Sequence, residues 1–462
     1  TYDDRSRLLN VTASLNGATP VTMKTLEYDE VGRLKKVKLH NNTTSSEYDY
    51  NIRSWLTGIT GSKFTQSLTY GNGNGNIRSM NWNANGSSHS YAFTYDGANR
   101  MLDAIHGTGA YTEKVTSYDK NGNILGLQRY GNGLIDDLTY TYNGNQLTKV
   151  EDATGNSAGF SNGTSTTNEY IYDYNGNLTK DSNKGIANIS WNSLNLPNVV
   201  SFTDGSTITY TYAADGIKLR TVHNINGTTT QTDYYGSATY ENGTAKLWQT
   251  EAGYISMNDS KYHYYLQDHQ GNNRVVVSET GATEEVNHYY AFGGLLGNGN
   301  SIQPFKNNGK ELDTKKGLNW YDYGARQYDE TLGRFISADP SAENYYETGI
   351  YAYCGSNPIN RIDPTGADWY QDDKGNYRWQ QGSDNLERYT NIGSTFSMEL
   401  GENSFLNFYQ NGGMWANQAA NAVDLIYASP KLQAQFWGIG SVLSEEDQIS
   451  LFRAIMSRKG LN

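Results

Sequence analysis

A short motif recurs along the first 220 residues, and it restricts the possible folds more than any other feature. It reads Tyr-Asp, about two residues, Gly or an equivalent, Arg or Asn, and then Leu or Ile. Clear copies begin at Tyr28, Tyr95, Tyr118, Tyr172 and Tyr212, looser ones at Tyr48 and Tyr70, and a shortened one at Tyr142, while Trp191 replaces the Tyr in another. From Tyr28 to Tyr142 the copies lie 20 to 25 residues apart. Such a spacing is typical of a repeat architecture.

Each copy predicts one β-hairpin. The residues before the Tyr alternate as in a strand, for example in 138–142. Asn-Gly or Asp-Gly then supplies the positive φ angles of a tight turn, and a second short strand follows, as in 147–150. An isolated hairpin is marginally stable, so neighbouring copies must pair edge to edge, with their Tyr side chains in a ladder on one face. We therefore predict an all-β chain, with antiparallel strands winding continuously through 1–335 and helices only in a small α+β tail. The Tyr, Asp and Gly of the copies are assigned structural roles.

The composition narrows the function classes. Only 36% of residues are hydrophobic, but 13% are aromatic, including 38 Tyr, which argues against a disordered chain. The net charge of −12 disfavours nucleic-acid partners. No apolar run is long enough to predict a transmembrane segment. The single cysteine, Cys354, rules out an internal disulfide. No metal or other cofactor is expected.

The first residues repeat the motif, since Tyr2-Asp3 is followed by Ser6 in the Gly position and by Arg7-Leu8. A chain beginning inside a copy is expected to be part of a longer polypeptide. An upstream shell segment would then be a partner of this chain, and any secretion signal would lie there.

A second, non-repetitive block follows residue 260. Its segments are 262–274, 305–313, 317–329, 332–335, Asp339-Pro340, 351–358 and 363–366. This block resembles the Rhs repeat-associated core, and the Tyr-Asp copies resemble YD repeats, over about residues 1–366. The wording NGKELD and GLNWYDYGAR is most similar to versions from the Bacteroidetes.

The resemblance implies a fold and a function. Rhs proteins wind YD hairpins into a hollow, cocoon-like shell that ends in the core and is followed by a variable C-terminal segment, often a toxin held inside. The implied domains are a YD shell over 1–260, the core over 261–366 and a toxin or pre-toxin domain over 367–462. The implied function is delivery of this secreted effector in interbacterial competition, with an immunity protein and secretion components as further partners. The alternative is a surface or adhesive repeat protein without a toxin.

The resemblance also implies self-cleavage. Asp339 and Asp363 each precede Pro, and in Rhs proteins with this pair the two carboxylates resemble an aspartic-protease dyad that cuts after the second motif. The cut would fall between Gly366 and Ala367. Two departures from the family pattern are Ala342, where Gly is usual, and Ala367, where a larger apolar residue is usual. The alternative is that both Asp-Pro pairs only form turns.

The tail has a different character. Residues 369–379 predict a hairpin, whereas 416–427 and the region from Ser444 predict helices. The tail contains no His and no Cys, which disfavours zinc deaminases, His-metal nucleases and Cys/His proteases. Its 11 acidic and 7 basic residues give a net charge of 7 − 11 = −4, which also disfavours a nuclease. A His-free transferase, a membrane-active helix, an inactive segment or a spacer before a missing toxin remain open. Asp268-His269 is assigned a structural role.

Overall fold

The computed structural model describes residues 1–15, 17–71, 74–297, 301–340, 342 and 349–363, and the backbone of six strands after residue 368. The chain forms two compact units. The first comprises Thr1, Leu8–Ala338 and Glu347–Asp363, and the second comprises Tyr2–Arg7, Asp339–Tyr346 and Pro364–Asn462. The first unit holds two large antiparallel sheets and the segment that follows them.

The first sheet contains thirteen strands that pair in chain order. Side chains alternate along many of these strands, so that in 77–84 Trp82 and Ala84 are buried while Asn81 is exposed. The strands are β1 (Asn10–Ala13), β2 (Val21–Tyr28), β3 (Leu34–Leu39), β4 (Thr44–Tyr50), β5 (Leu56–Gly61), β6 (Phe64–Tyr70), β7 (Ile77–Ala84), β8 (Ser87–Tyr95), β9 (Met101–His106), β10 (Glu113–Tyr118), β11 (Ile124–Tyr130), β12 (Leu134–Asn143) and β13 (Gln146–Asp152).

The second sheet also contains thirteen strands in chain order. It continues to Val286, so it crosses residue 260, where the sequence divides the repeats from the core block. Its strands are β14 (Tyr170–Tyr172), β15 (Leu178–Asp181), β16 (Ile186–Trp191), β17 (Pro197–Phe202), β18 (Thr207–Tyr212), β19 (Lys218–Ile225), β20 (Thr228–Tyr235), β21 (Ala238–Glu241), β22 (Thr244–Thr250), β23 (Gly253–Ser256), β24 (Lys261–Gln267), β25 (Asn273–Ser278) and β26 (Thr283–Val286).

The two sheets are joined and then meet again. Where the first gives way to the second, the Glu169 N–H donates to the Thr148 carbonyl (2.8 Å) and the Glu169 carboxylate accepts from the Val150 N–H (3.0 Å). The far end of the second sheet packs on the first, where Tyr264 OH lies 2.8 Å from His40 Nδ1. One apolar core runs between the sheets. The predicted antiparallel strands are confirmed, but they do not form one continuous sheet through 1–335, because the sheet is interrupted between Asp152 and Tyr170.

In seven copies of the motif, the first strand ends at the aromatic residue or one residue after it, and the aromatic side chain bonds to the copy before. The aromatic side chain donates to the backbone carbonyl of the apolar residue that closes the preceding motif. The pairs are Tyr28 to Leu8 (2.9 Å), Tyr50 to Leu34 (2.9 Å), Tyr70 to Leu56 (2.5 Å), Tyr95 to Ile77 (2.6 Å), Tyr118 to Met101 (2.5 Å), Tyr142 to Ile124 (2.7 Å) and Trp191 Nε1 to Leu178 (2.7 Å). The predicted ladder is therefore a series of such bonds between successive copies.

The Asp of the motif closes the turn. Asp96 Oδ1 accepts the N–H groups of Ala98 and Arg100 at 2.9 Å each, and its Oδ2 accepts from Arg100 Nε at 2.7 Å. Asp119 and Asp173 make the corresponding bonds. One side chain thus satisfies three donors of its own turn, as an Asx-type turn does. These contacts agree with the structural role assigned to the Asp.

One copy begins two residues later than the sequence suggested. Tyr50, not Tyr48, ends β4 and donates to the preceding copy, and Asn51 takes the Asp role by accepting from Arg53 N (2.9 Å) and Trp55 N (3.1 Å). Both tyrosines lie on the same face of the strand, because side chains repeat every two residues. The Tyr-Asp dipeptide at 48–49 therefore misled the assignment of the turn.

The core segment, defined here as residues 287–297, 301–338 and 349–363, packs against both sheets. It contains a four-stranded antiparallel sheet of β27 (Glu311–Asp313), β28 (Trp320–Asp322), β29 (Gln327–Asp329) and β30 (Arg334–Phe335). Short 3-10 turns lie at Asn307–Gly309, Lys315–Gly317 and Cys354–Ser356. Among the residues described before 335 there is no α-helix, as predicted.

The tail supports one sequence prediction. β31 (Trp369–Asp372) pairs antiparallel with β32 (Tyr377–Trp379), which is the expected hairpin, and β33 (Tyr389–Gly393) lies on its other side. A second small sheet holds β34 (Phe396–Gly401), β35 (Ser404–Phe408) and β36 (Met414–Ala416). Ala416, the start of the first expected helix, ends a strand, while 417–427 and the region from Ser444 lie outside the described residues. Within the part of the chain that the structure describes, no helix is long and apolar enough to cross a membrane.

Candidate cleavage site and shell interior

The last part of the core segment runs along the turns of the first sheet. Asn360 Oδ1 accepts the Ile77 N–H (2.7 Å), and its Nδ2 donates to Tyr95 OH (2.9 Å). Asn357, only 1% exposed, donates to the Asn99 carbonyl (2.8 Å). These bonds connect residues more than 250 positions apart and join two neighbouring copies of the motif.

The same pattern continues along the following copies. Ser356 Oγ donates to the Gly122 carbonyl (3.3 Å), Arg334 to the Asn145 carbonyl (2.9 Å) and Tyr351 OH to the Gly176 carbonyl (2.8 Å). The core segment therefore fastens the turn edge of several copies at once. We call Arg334, Tyr351, Ser356, Asn357 and Asn360 the clasp residues.

Asp363 lies at the end of the described core segment and is held by an arginine. Arg326 NH2 donates to Asp363 Oδ2 at 2.7 Å, and the two side chains are 4% and 13% exposed. The guanidinium of Arg326 also lies 3.7 Å from the centre of the Phe335 ring, so the ring fixes its position. Burial lowers the pKa of Lys310, which the carboxylates of Asp322 and Asp363 partly oppose. Asp363 is thus placed beside basic groups.

Asp339 belongs to the second compact unit. Its carbonyl accepts the Ala342 N–H at 3.1 Å, a turn of the kind expected at an Asp-Pro pair. The expected cleavage residues, Gly366 and Ala367, lie outside the described residues. The dyad therefore stays a prediction.

The first unit encloses a polar cavity of 1150 Å³ between the second sheet and the core segment. On its wall, Lys218 Nζ contacts Glu311 (2.7 Å) and Asp322 (2.6 Å), and Tyr234 OH donates to Glu311 (2.8 Å). Two further pairs line it: His223 with Asp313 (2.8 Å) and His263 with Glu284 (2.6 Å). The interior wall thus carries paired charges and hydroxyl groups among apolar side chains.

A buried ion triad ties the first sheet to the core segment. Arg129 contacts Glu113 and Asp136, each at 2.8 Å, and both carboxylates are fully buried. The triad reaches the core because Arg129 also donates to the Thr331 carbonyl and the Phe292 N–H donates to Glu113 (3.0 Å). One cation faces two carboxylates, and the N–H groups of Phe292 and Phe160 also donate to Glu113 and Asp136, so that both buried carboxylates are hydrogen-bonded.

Asp268 and His269 have separate structural partners. Asp268 lies after the end of β24, in a turn like those of the motif, and accepts from Asn272 Nδ2 (2.9 Å) and Arg274 Nε (2.7 Å). His269 donates its backbone N–H to Gln66 Oε1 (3.1 Å). These contacts agree with the structural role assigned to the pair, which follows the end of β24.

Sequence reasoning missed Arg326 and the partners of Arg129. Arg326 lies inside the quoted stretch 317–329, where its charge was the only available signal. Its partner lies 37 residues away, so no local pattern connects them. Among the residues that the structure describes, no group of His, Cys, Asp or Glu side chains could hold a metal ion.

Comparison with known proteins identifies the fold. The family model described as the Teneurin YD-shell matches residues 60–359. A stretch of 112 residues, 23% of this chain and 3% of the relative, is 35% identical to salivary gland surface protein 1 of Aedes aegypti. A stretch of 113 residues, 23% of this chain and 45% of the relative, is 33% identical to YibJ of Escherichia coli strain K12.

Solved structures show the same fold. The Tc holotoxin pore of Photorhabdus luminescens matches with a TM-score of 0.65 and 18% identity over 79% of this chain and 20% of that chain. The TcdB2–TccC3 complex matches with a TM-score of 0.59 and 18% identity over 79% of this chain and 21% of that chain. The present chain thus spans about a fifth of these solved chains and under half of YibJ.

Proposed function

The chain belongs to the Teneurin YD-shell family, whose model covers residues 60–359, and we propose that it is the closing part of an Rhs-type shell that encloses and delivers residues 367–462 as an effector. In this proposal, the shell leaves the producing cell and delivers the effector to rival bacteria. The upstream shell segment, the tail itself, an immunity protein and secretion components are its partners in this proposal.

The polar cavity carries this proposal. On its wall, Lys218 is already paired with Glu311 and Asp322, so these charges are not free to bind an enclosed polypeptide. Such a wall suits a cargo that must later leave. The composition also changes after Gly366, and the TcdB2–TccC3 complex has been described without a hypervariable C-terminal region.

We further propose that Asp339 and Asp363 release the tail. Arg326 donates to Asp363 Oδ2 and so orients this side chain, which in the proposal takes a proton from water. A protonated Asp339 would donate to the carbonyl oxygen of Gly366. Water then adds to that carbonyl carbon. As the bond to the Ala367 nitrogen breaks, this nitrogen leaves with the proton that Asp363 took from water, and Asp339 regains its proton as the carboxyl group of Gly366 forms. Arg326 acts as a positioning residue in this scheme.

Mass spectrometry under denaturing conditions tests the cleavage. We expect the purified full chain to yield two fragments that meet at Gly366 and Ala367, whereas Asp339→Asn and Asp363→Asn remain intact. Asp313→Asn, which removes a carboxylate paired with His223, is the matched control and should be cut normally. An intact wild-type chain, or variants cut as well as wild type, would overturn the dyad.

Expression of the tail alone tests the effector role. Residues 367–462 produced in the cytoplasm of a susceptible bacterium should arrest growth, and the product of a small neighbouring gene should restore it. A harmless tail, combined with glycan or cell binding by residues 1–366, would instead support the surface or adhesive role.

A further inference from the structure

Three of the seven histidines meet where the two sheets touch. His89 lies in β8, His106 ends β9, and His288 follows β26. His89 Nδ1 and His106 Nε2 are 3.0 Å apart, and the centres of the His89 and His288 rings are 4.1 Å apart. We call these three residues the histidine cluster. It joins the first sheet to the end of the second.

The hydrogen bonds of the cluster require neutral rings. Trp82 Nε1 points at His288 Nδ1 (3.1 Å), and an indole nitrogen can only donate, so this histidine nitrogen must accept. Likewise, His89 and His106 share one hydrogen between two facing nitrogens. A proton added to His288 Nδ1, or to the accepting nitrogen of the His89–His106 pair, would place two donors against each other. Protonation would therefore break the bond that it meets.

The charges around the cluster also oppose protonation. The Arg274 guanidinium, on β25, lies 5.0 Å from the Trp82 ring and 5.0 Å from the Tyr289 ring, and its Nε is paired with Asp268. The remaining titratable groups against the cluster are the phenols of Tyr91, Tyr111 and Tyr289. Within the described part of the chain, His223 and His263 contact carboxylates, but no such ion pair reaches the histidine cluster.

The pKa values follow this geometry. Burial is the largest cause for all three residues and lowers the pKa of each histidine below its ordinary value. For His288, whose neighbours His89, Arg274 and His106 add to the effect, the pKa falls to about 3. In an unfolded chain, or with the sheets separated, His288 would bind a proton at a pH several units higher.

We propose that the histidine cluster is an acid-sensitive latch that fastens the end of the second sheet to the first at neutral pH and releases it in acidic surroundings. Proton linkage gives the direction of this pH effect. A histidine whose folded-state pKa is lowered stabilises the closed form fully above its ordinary pKa, and this stabilisation is lost as pH falls towards the folded-state value. Between pH 6.5 and 4.5, His288 alone shifts the closed-to-open equilibrium by about 50-fold, since each pH unit well below its ordinary pKa contributes about tenfold and the first unit contributes less.

Hydrogen exchange on the full chain tests the latch. Protection factors, each corrected for the intrinsic rate at its pH, are measured at pH 6.5 and 4.5 for β7–β9, β25 and residues 286–290. We expect protection there to fall about 50-fold, the shift expected for His288 from linkage, while β16–β18 change little. Acid exchange that rises equally in all strands, or not at all in the latch strands, would overturn the proposal.

Variants give the matched comparison. The triple variant His89→Gln, His106→Gln, His288→Asn keeps acceptors in place but cannot titrate, so its latch strands should hold their protection at pH 4.5. His263→Gln removes a histidine paired with Glu284 and should lose protection as wild type does. A triple variant that loosens as much as wild type would contradict the latch. If that variant does not fold, the strand-selective exchange of the wild-type chain decides by itself.

Discussion

The repeats of the first sheet and the core segment use the same kinds of bonds over different distances. In a repeat, Asp119 bonds its own turn and Tyr118 bonds the copy before, 17 residues away. In the core segment, Asn357 bonds Asn99 across 258 residues. The repeats thus supply local order, whereas the core segment turns separate hairpins into one unit. The loss of a repeat bond should therefore stay local, and the loss of a core bond should spread.

The largest loss of stability is expected at the buried ion triad, which connects the first sheet to the core segment. Arg129→Met should lower the free energy of unfolding by about 3–5 kcal/mol, because Glu113 and Asp136 would remain buried without their cation. Chemical denaturation measures this loss. The triple variant Arg129→Met, Glu113→Gln, Asp136→Asn should recover much of it, and equal losses in the two variants would argue against the ion-pair explanation.

A pH-dependent effect is expected at Asp181. Its Oδ2 is buried without a hydrogen-bond partner among the described residues, and burial raises its pKa to about 7. A carboxyl group whose folded-state pKa is raised stabilises the fold fully at pH values below its ordinary pKa near 4. This stabilisation is lost as pH rises towards 7, and the free energy of unfolding falls by about 1.4 kcal/mol per pH unit between these values. Urea unfolding of wild type and Asp181→Asn from pH 5 to pH 8 measures this slope.

As pH rises across that range, the free energy of unfolding of the wild-type protein should fall relative to that of Asp181→Asn. Asp103→Asn, which changes a strand carboxylate bonded to Thr94 (2.6 Å), is the control and should follow wild type. An unchanged slope in Asp181→Asn would show that another group titrates.

The smallest effect is expected for one bond between repeats. Tyr118→Phe removes the donor to the Met101 carbonyl (2.5 Å) and should cost about 1 kcal/mol. Hydrogen exchange should rise in β9 and β10 and stay unchanged in β16–β18. Tyr235→Phe, at a side chain that is 65% exposed, serves as the neutral control. A loss of protection across both sheets would show that repeat bonds are not local.

The contrast between local bonds in the repeats and long-range bonds in the core segment also explains which features could be predicted from the sequence. Hairpins, turns and the order of strands follow from residues a few positions apart, so the periodic Tyr-Asp motif was sufficient for most copies. It failed at Tyr48 because Tyr50 lies on the same face two residues on, and only the turn at Asn51 distinguishes them. A strand period of two cannot resolve such a shift.

The candidate site depends on contacts that no local pattern contains. Arg326 meets Asp363, and His89 meets His288, only because the sheets wind and the core segment returns across them. Both Asp339 and Asp363 could be named from a resemblance, but their neighbours could not. The strands and turns could therefore be predicted from the sequence, whereas the contacts between distant residues are seen only in the structure.

The most direct test of this account is hydrogen exchange at the turns that the clasp residues hold. The double variant Asn357→Ala, Asn360→Ala removes the bonds to Ile77, Tyr95 and Asn99. The account predicts that amides near residues 76, 99 and 122 lose protection together, although these turns lie in separate repeats, while the strand centres of β3–β5 keep theirs. Loss confined to one turn, or no loss at any, would contradict a core segment that fastens the repeats into one shell.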